Sequence, residues 1–423
     1  MKILFLTENF PPETNAAANR VYERAKFWIA WGHEVTVITC APNFPAGRIH
    51  DGYRNRWYQV ERMDGIKVVR VKTFISANEG IVMRMLDFLS FMVTGFFASL
   101  FQPRPDVVCA TSPQFFTAVA GWLVGMCRRR PFVLELGDIW PASIVAVGAM
   151  RESILIRLLE RLELFLYRRS DAIVALTPSF KENLVDRGID GDKISIVING
   201  VDTARFQKIP RDDALAAEWG LRDKFVVGYI GTHGMAHGLS NVLEAAKIMR
   251  DNDKCTFLFV GNGAERDSLI EKASAENLDN VRFIGSQPRE AVPAIWSVCD
   301  LALVHLRDSD VFREVIPSKI FEAMAMELPI LLVTPEGTAS ELVLAARAGV
   351  WAPPEKPEEL AGIVASLSVR QRLLALLGKK GSAASGRFSR ERQASEMLKI
   401  LEAAAAGDGP RTGVGTDARR YLS

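Results

Sequence analysis

F-V-V-G-Y-I-G-T-H-G-M-A-H-G, residues 225–238, and T-F-L-F-V-G-N-G-A-E-R, residues 256–266, share one form: a short apolar run that stops in a glycine-bearing loop. Runs of five or six residues bounded by glycine suit buried strands better than helices, which need ten or more. Glycine lets the following loop turn tightly and bring backbone N–H groups close to a ligand, although plain turn chemistry accounts for either loop taken alone.

The rhythm extends both ways from these two runs. Towards the carboxyl end, Val281 to Ile284, Leu301 to Val304 and Ile330 to Val333 read as further strands with helices between them. Towards the amino end, the strands are Ile3 to Thr7, Glu34 to Thr39, Val68 to Val71, Val107 to Ala110, Phe132 to Leu136 and Ala172 to Leu176, with a helix over Ala17 to Trp31. Alternating strands and helices predict parallel sheets covered on both faces. The break is the polar segment D-T-A-R-F-Q-K-I-P-R-D-D (202–213), inside a boundary region near residues 199–224. The expected fold class is α/β, with two doubly wound, Rossmann-like domains facing each other across a cleft, since open sheets of this kind bind ligands beyond the carboxyl ends of their strands. The expected limits are 1–198 for the first domain and 199–387 for the second. A helix over 388–405 is expected to pack back on the first domain, and 406–423 forms a disordered tail.

Composition excludes several classes. The 423 residues are too many for one small core and suggest two or three domains. With 48% hydrophobic residues the chain is globular, and a formal charge of +2 implies no broad basic face for nucleic acid. Cys40, Cys109, Cys127, Cys255 and Cys299 lie far apart, which fits free thiols in a reducing cytoplasm rather than a zinc ribbon or a disulfide framework. M-K-I-L-F-L-T-E-N-F-P-P (1–12) has an apolar run too short for a secretory leader and reads as a buried strand.

E-V-I-P-S-K-I-F-E (314–322) carries the chemistry. Pro317 and Ser318 suit a helix start, whose free N–H groups favour a phosphate, and Lys319 adds a positive charge. Glu322 lies one turn into that helix, where a carboxylate accepts hydrogen bonds from a vicinal diol such as a ribose. Glu314, on the preceding loop, is placed to meet hydroxyls of a second sugar. A dipole-stabilised Glu322 and a solvated Glu314 remain open on this stretch alone.

Taken with I-V-I-N-G-V-D (196–202), F-V-G-N-G-A-E (259–265) and N-V-R-F-I-G (280–285), the E-x7-E stretch resembles the retaining glycosyltransferases of family 4, which have the two-domain GT-B fold. The motifs stand in the family's order, and the resemblance covers roughly residues 1 to 400. It implies transfer of a sugar from a nucleotide diphosphate donor with retained anomeric configuration, without a metal or other cofactor. It further implies that Glu322 binds the ribose hydroxyls, that Glu314 binds the donor sugar, and that the backbone of Ile316, Pro317, Ser318 and Lys319 binds the diphosphate. Gly261, Asn262 and Gly263 would flank base and ribose, Gly231 would join the donor site, and Asn199 with Gly200 would line the interdomain cleft. F-P-P-E-T-N-A-A-A-N-R (10–20), C-A-P-N-F-P-A-G-R-I (40–49) and L-G-D-I-W-P-A-S-I-V-A-V-G-A (136–149) resemble a narrower subgroup that builds bacterial surface polysaccharides, including N-acetyl-L-fucosamine transferases of O-antigen assembly.

The chain departs from the family in two loops. Where many members carry an Arg and a Lys to neutralise the diphosphate, G-T-H-G-M-A-H-G supplies Thr232 or His233 and then His237, which throws the leaving-group charge onto Lys319. Where many have a glycine pair in the first loop, this chain has Asn15-Ala16-Ala17-Ala18, followed by Arg20. Asp138, after a first-domain strand, is a candidate to orient the acceptor hydroxyl or donor sugar, with turn capping as its alternative. Asp308-Ser309-Asp310 has the form of a metal-diphosphate motif of a different fold, but it precedes a helix start and a lysine that already serve phosphate, so no metal is expected.

The acceptor side points to a membrane. Residues 88–101, F-L-S-F-M-V-T-G-F-F-A-S-L-F, are uncharged but short of the ~20 needed to span a bilayer, so an interfacial helix is expected, with a buried helix as the alternative. R-R-R (128–130) and E-S-I-L-I-R-L-L-E-R-L-E-L-F-L-Y-R-R (152–169) set arginines beside apolar stripes, a pattern suited to anionic headgroups. The expected partners are a UDP-sugar, a polyprenyl-diphosphate-linked glycan acceptor and the cytoplasmic face of the membrane, with no nucleic acid. A soluble acceptor, a non-catalytic nucleotide-sugar-binding protein of the same fold, and a hydrolase or epimerase acting on the nucleotide sugar remain as alternatives.

Overall fold

The structure is a computed structural model that describes residues 1–44, 47–75, 81–112, 115–139 and 153–407. Pro45 and Ala46, most of the 136–149 motif and the tail from residue 408 onward therefore lie outside the described residues. The chain divides into two compact units, Met1–Asn199 joined by the segment from Arg390, and Gly200–Ser389.

The first unit holds β1 (Lys2–Leu6), β2 (Glu34–Cys40), β3 (Tyr58–Met63), β4 (Ile66–Val71), β5 (Val107–Thr111), β6 (Phe132–Leu136), β7 (Ala172–Ala175) and β8 (Ile194–Ile196), in spatial order β3-β4-β2-β1-β5-β6-β7-β8. All neighbours are parallel except β3 and β4, which form an antiparallel hairpin. The interior strands are buried along their length because helices cover both faces, as in V-V-C-A-T of β5. β3 is an edge strand in which exposed residues alternate with half-buried ones, and its Y-Q-V-E-R-M lacks the continuous apolar run that marks its neighbours.

The core on one face of this sheet gathers Phe5, Trp28, Val37, Cys109, Val133 and Val174 with Met397 and Leu401 from the Arg390–Ala406 helix. Trp28 Nε1 donates to the Ala394 carbonyl at 2.9 Å, so that late helix is fastened to the first unit by a buried hydrogen bond as well as by apolar packing. Each large apolar side chain buried there contributes roughly 1.5–3 kcal/mol.

The second unit holds β9 (Phe225–Ile230), β10 (Cys255–Val260), β11 (Val281–Ile284), β12 (Leu301–His305), β13 (Ile330–Val333) and β14 (Gly349–Ala352), all parallel, in order β11-β10-β9-β12-β13-β14. This is the doubly wound order, with the direction of winding reversing between β9 and β12. Its core includes Tyr229, Leu243, Phe257, Phe259, Leu303 and Leu331. Among the described residues no single helix is long and apolar enough to cross a membrane.

Candidate functional site

The point where strand order reverses in the second unit is where a ligand crevice forms in such a sheet. β9 ends at Ile230 and opens into Gly231–Gly238, while β12 ends at His305 and leads to a short 3-10 turn, Asp310–Glu314, and then to the Lys319–Ala325 helix. Lys319 is the first residue of that helix and is only 9% exposed, so its position inside the crevice is set by backbone rather than chance. Its Nζ lies 3.6 Å from the centroid of the Tyr229 ring, and a Cβ at Gly231 would stand 3.2 Å from it.

The ring face is the electrostatic partner this ammonium has, since no carboxylate lies within ion-pair distance of it among the described residues. Burial accordingly pushes Lys319 down to about 7, with Glu322 opposing the shift. The Tyr229 hydroxyl donates to the Thr232 carbonyl at 2.7 Å, which pins the ring beneath the lysine.

Three of the chain's five histidines stand around this lysine. His305 donates through Nδ1 to the His237 carbonyl at 2.7 Å, and its Nε2 is 3.1 Å from Asn241 Nδ2. That pairing fits a neutral ring with its proton on Nδ1, because the amide N–H needs an acceptor. Burial, with Lys319 adding to it, holds His237 at about 3 and His233 at about 4, and burial holds His305 at about 4. All three are uncharged at neutral pH. His233 is fully buried, edge-on to Phe259 at 6.1 Å and to Phe283 at 6.3 Å, and its ring nitrogens meet no protein partner.

The two glycines of G-N-G have a packing cause. A Cβ at Gly261 would fall 1.9 Å from the Gly231 carbonyl oxygen, and one at Gly263 would fall 2.3 Å from that of His233. Both loops therefore press backbone to backbone, tied by His233 N to Asn262 O at 2.9 Å, and only glycine admits that approach.

Glu322 is half-buried, and its Oε2 accepts from Trp296 Nε1 at 3.2 Å. Glu314 closes the Asp310–Glu314 turn and is also half-buried. Ile316 is buried, while Pro317 and Ser318 are half-buried. Ser318 occupies the N-cap position in αR conformation and makes no side-chain capping bond, so the helix start leans on backbone alone. Asp310 pairs with Arg313 at 3.0 Å, and among the described residues no three His, Cys, Asp or Glu side chains form a group that could hold a metal ion.

The first-unit candidates follow β1, β6 and β8 in the chain. Asn15 caps the Ala16–Ala30 helix, its Oδ1 accepting from Ala18 N at 2.9 Å, with Ala16 exposed and Ala17 half-buried. Arg20 is 4% exposed, its Nε 2.9 Å from Glu135 Oε1, and Arg24 reaches the same oxygen at 2.7 Å. Burial would raise Glu135, but the two guanidiniums hold it below the usual carboxylate range. Arg20, expected in an acceptor loop, lies in the Ala16–Ala30 helix and is engaged in a buried ion network. Asp138 follows β6, half-buried, and its carbonyl accepts from Ser112 Oγ at 3.4 Å. Asn199 is likewise engaged, its Oδ1 accepting from Arg390 Nη1 at 2.7 Å, while Arg390 Nε pairs with Glu23 at 2.6 Å. That amide oxygen fastens the end of the first unit to the returning chain.

Sequence reading missed Tyr229, Trp296, His305 and Asn241. The available signal was His305 itself, a rare residue ending a buried strand.

Two family descriptions match the chain: Glycosyl transferase 4-like domain over residues 15–200 and Glycosyl transferases group 1 over residues 212–383. The chain is a glycosyltransferase with the GT-B fold. Within that class the two matches are to the group 1 and 4-like descriptions. It is 27% identical over 334 residues, 77% of this chain and 81% of the relative, to the putative colanic acid biosynthesis glycosyl transferase WcaI of Escherichia coli K12. Among solved structures, sucrose-phosphate synthase from Thermosynechococcus elongatus superposes with a TM-score of 0.78 at 17% identity, covering 96% of this chain and all of that one. Anabaena HepE in complex with UDP-glucose gives 0.72 at 19% identity, with 95% and 100% coverage.

Proposed function

We propose that the protein is a retaining, metal-independent glycosyltransferase that moves a sugar, of the N-acetylated amino sugar kind such as N-acetyl-L-fucosamine, from a UDP-sugar to a polyprenyl-diphosphate-linked glycan in surface-polysaccharide assembly. The observation that carries the donor half is the buried Lys319 amine at the β9/β12 reversal, with no carboxylate in ion-pair reach among the described residues. A cation stripped of water needs an anion, and a diphosphate leaving group is the anion that this reaction generates. Lys319 takes the role that an Arg and Lys pair fills in many relatives, while His237, being neutral, contributes no charge. Glu322, oriented by Trp296, accepts the ribose hydroxyls, and Glu314 faces the donor sugar.

The WcaI likeness and the bound UDP-glucose of HepE support a polysaccharide role and a UDP-sugar donor. The membrane half of the reading rests on the Ile81–Leu100 helix, where Leu86, Val93 and Phe97 are exposed at helical spacing and Phe101 follows, 78% exposed. Phe91 and Ala98 of the same helix are buried, so it packs on the unit along one side and offers the other. Arg128 is spent on the carbonyls at this helix's end, including Gln102 O at 2.7 Å, whereas Arg129 is exposed and available to a headgroup. The enzyme would work on the cytoplasmic face as a peripheral protein.

The test is a donor screen that measures nucleotide release with purified lipid-linked acceptor. Release that depends on the acceptor supports transfer. Equal release without it means hydrolysis, and no release with any UDP-sugar overturns the assignment.

A further inference from the structure

Lys319 waits for its anion in an unusual state. The side chain is nine-tenths buried, and its Nζ rests on the Tyr229 ring with no carboxylate in ion-pair reach among the described residues. Tyr229 cannot offer its hydroxyl, which is already bonded to the Thr232 carbonyl.

Apart from Glu322, the described groups facing the lysine supply no counter-charge. From β9 and its loop come Tyr229, His233 and His237, and from β12 comes His305. His305 is held in one neutral tautomer between the His237 carbonyl and the Asn241 amide. β13, I-L-L-V, has no titratable side chain. The Gln371–Ser385 helix packs on the Lys319–Ala325 helix, with Gly381 against Met324, and its Arg372, Lys379 and Lys380 are exposed. Glu322, one turn along on the same helix, is the one carboxylate among the described residues that acts on the lysine, and its Oε2 is bonded to Trp296.

An ammonium in such a place loses its hydration and gains only a ring face in return, which favours the uncharged amine. A diphosphate arriving beside it reverses the balance, because a neighbouring negative charge favours the protonated form. We propose that the nucleotide diphosphate enters this site together with a proton, taken from solvent, that settles on Lys319 Nζ and leaves again with the released nucleotide. The inference rests on the diphosphate reading above and adds that the anion site is close to neutral when empty and cationic only when filled. The value of about 7 for the empty site agrees with this.

Calorimetry of UDP binding to the full chain at pH 8.0, in two buffers of different ionisation enthalpy, tests it. At that pH the terminal phosphate of UDP holds almost no titrating proton, its own value lying near ~6. The expected result is uptake of about 0.9 proton per UDP by the wild type, and none by Lys319→Arg, whose guanidinium is charged throughout. The wild type alone gives a second readout, with affinity falling about tenfold between pH 8 and pH 9. UDP binding with uptake below about 0.2 proton, or with an affinity that is flat across that range, overturns the proton coupling while leaving the diphosphate site intact. Unchanged uptake in Lys319→Arg overturns the assignment to this residue. Absence of UDP binding at every pH overturns the donor reading and this inference together.

Discussion

Each unit buries cations, but on opposite terms. In the first, Arg20 and Arg24 both close on Glu135, and Thr111 adds a hydroxyl 3.4 Å from Arg20. In the second, Lys319 is as well hidden but faces a tyrosine ring and three neutral histidines. A buried cation with its counter-ion built in has no further charge to offer, so its task is structural. A buried cation without one stores an unmet demand, which folding energy elsewhere in the unit sustains and a ligand can satisfy. The difference separates a conspicuous arginine in an expected acceptor loop from the lysine proposed to meet the donor's diphosphate.

The contrast can be broken by substitution, beginning with the largest effect. Glu135→Ala leaves two guanidiniums uncompensated in a dry core and should cost ~3–5 kcal/mol of stability, read from urea denaturation; a cost under 1 kcal/mol would mean that the network is not what holds that region. Lys319→Met, of similar shape and without charge, should lower transfer by a factor on the order of 10² to 10³ in kcat, and retained activity would remove the lysine from leaving-group stabilisation. Trp296→Phe takes one hydrogen bond from Glu322 and should weaken UDP binding by roughly 1 kcal/mol, about fivefold in Kd, with little change in the unfolding midpoint. Smallest in stability is the pair Phe97→Ser and Phe101→Ser, at 55% and 78% exposure, expected within ~0.5 kcal/mol of wild type. Their readout is flotation with anionic vesicles, which should be lost; undiminished flotation would remove this face from the membrane reading.

A pH dependence follows from the same lysine. Its value is about 10.5 unfolded and about 7 folded, so between these limits the unfolded chain binds the extra proton. This group therefore makes the ligand-free protein more stable as pH rises from 7 towards 10, the reverse of a salt-bridged lysine.

Much of the fold was legible because parallel sheets with both faces covered write themselves as continuous apolar runs. Phe225–Ile230, Val281–Ile284, Phe132–Leu136 and Ile330–Val333 have the same limits in the structure as in the reading of their pattern. The three strands that escaped have weaker signals. β3 is an edge strand whose Glu61 and Arg62 interrupt any apolar run, β8 has three residues, and β14 is a short G-V-W-A beside a proline. Of the site, the loop at 231–238 and the stretch at 314–322 could be read because glycine, proline and charge are local marks. Tyr229 beneath Lys319 could not, since β9 and β12 are adjacent in the sheet but separated by two strands in sequence. Nor could the fate of Arg20 and Asn199, because their partners Glu135 and Arg390 lie 115 and 191 residues away.

Lys319 is a buried amine with no carboxylate in ion-pair reach among the described residues, and in the proposed reading it takes its charge with the nucleotide diphosphate. The most direct measurement is the thermal midpoint of wild type and Lys319→Met at pH 7, each with and without saturating UDP. Without UDP the variant should melt higher, by an amount corresponding to at least ~1 kcal/mol, because it no longer buries a lone amine. With UDP the order should invert, the wild type rising and the variant staying where it was. A variant that melts lower in the absence of ligand, or that gains as much from UDP as the wild type, would contradict the account.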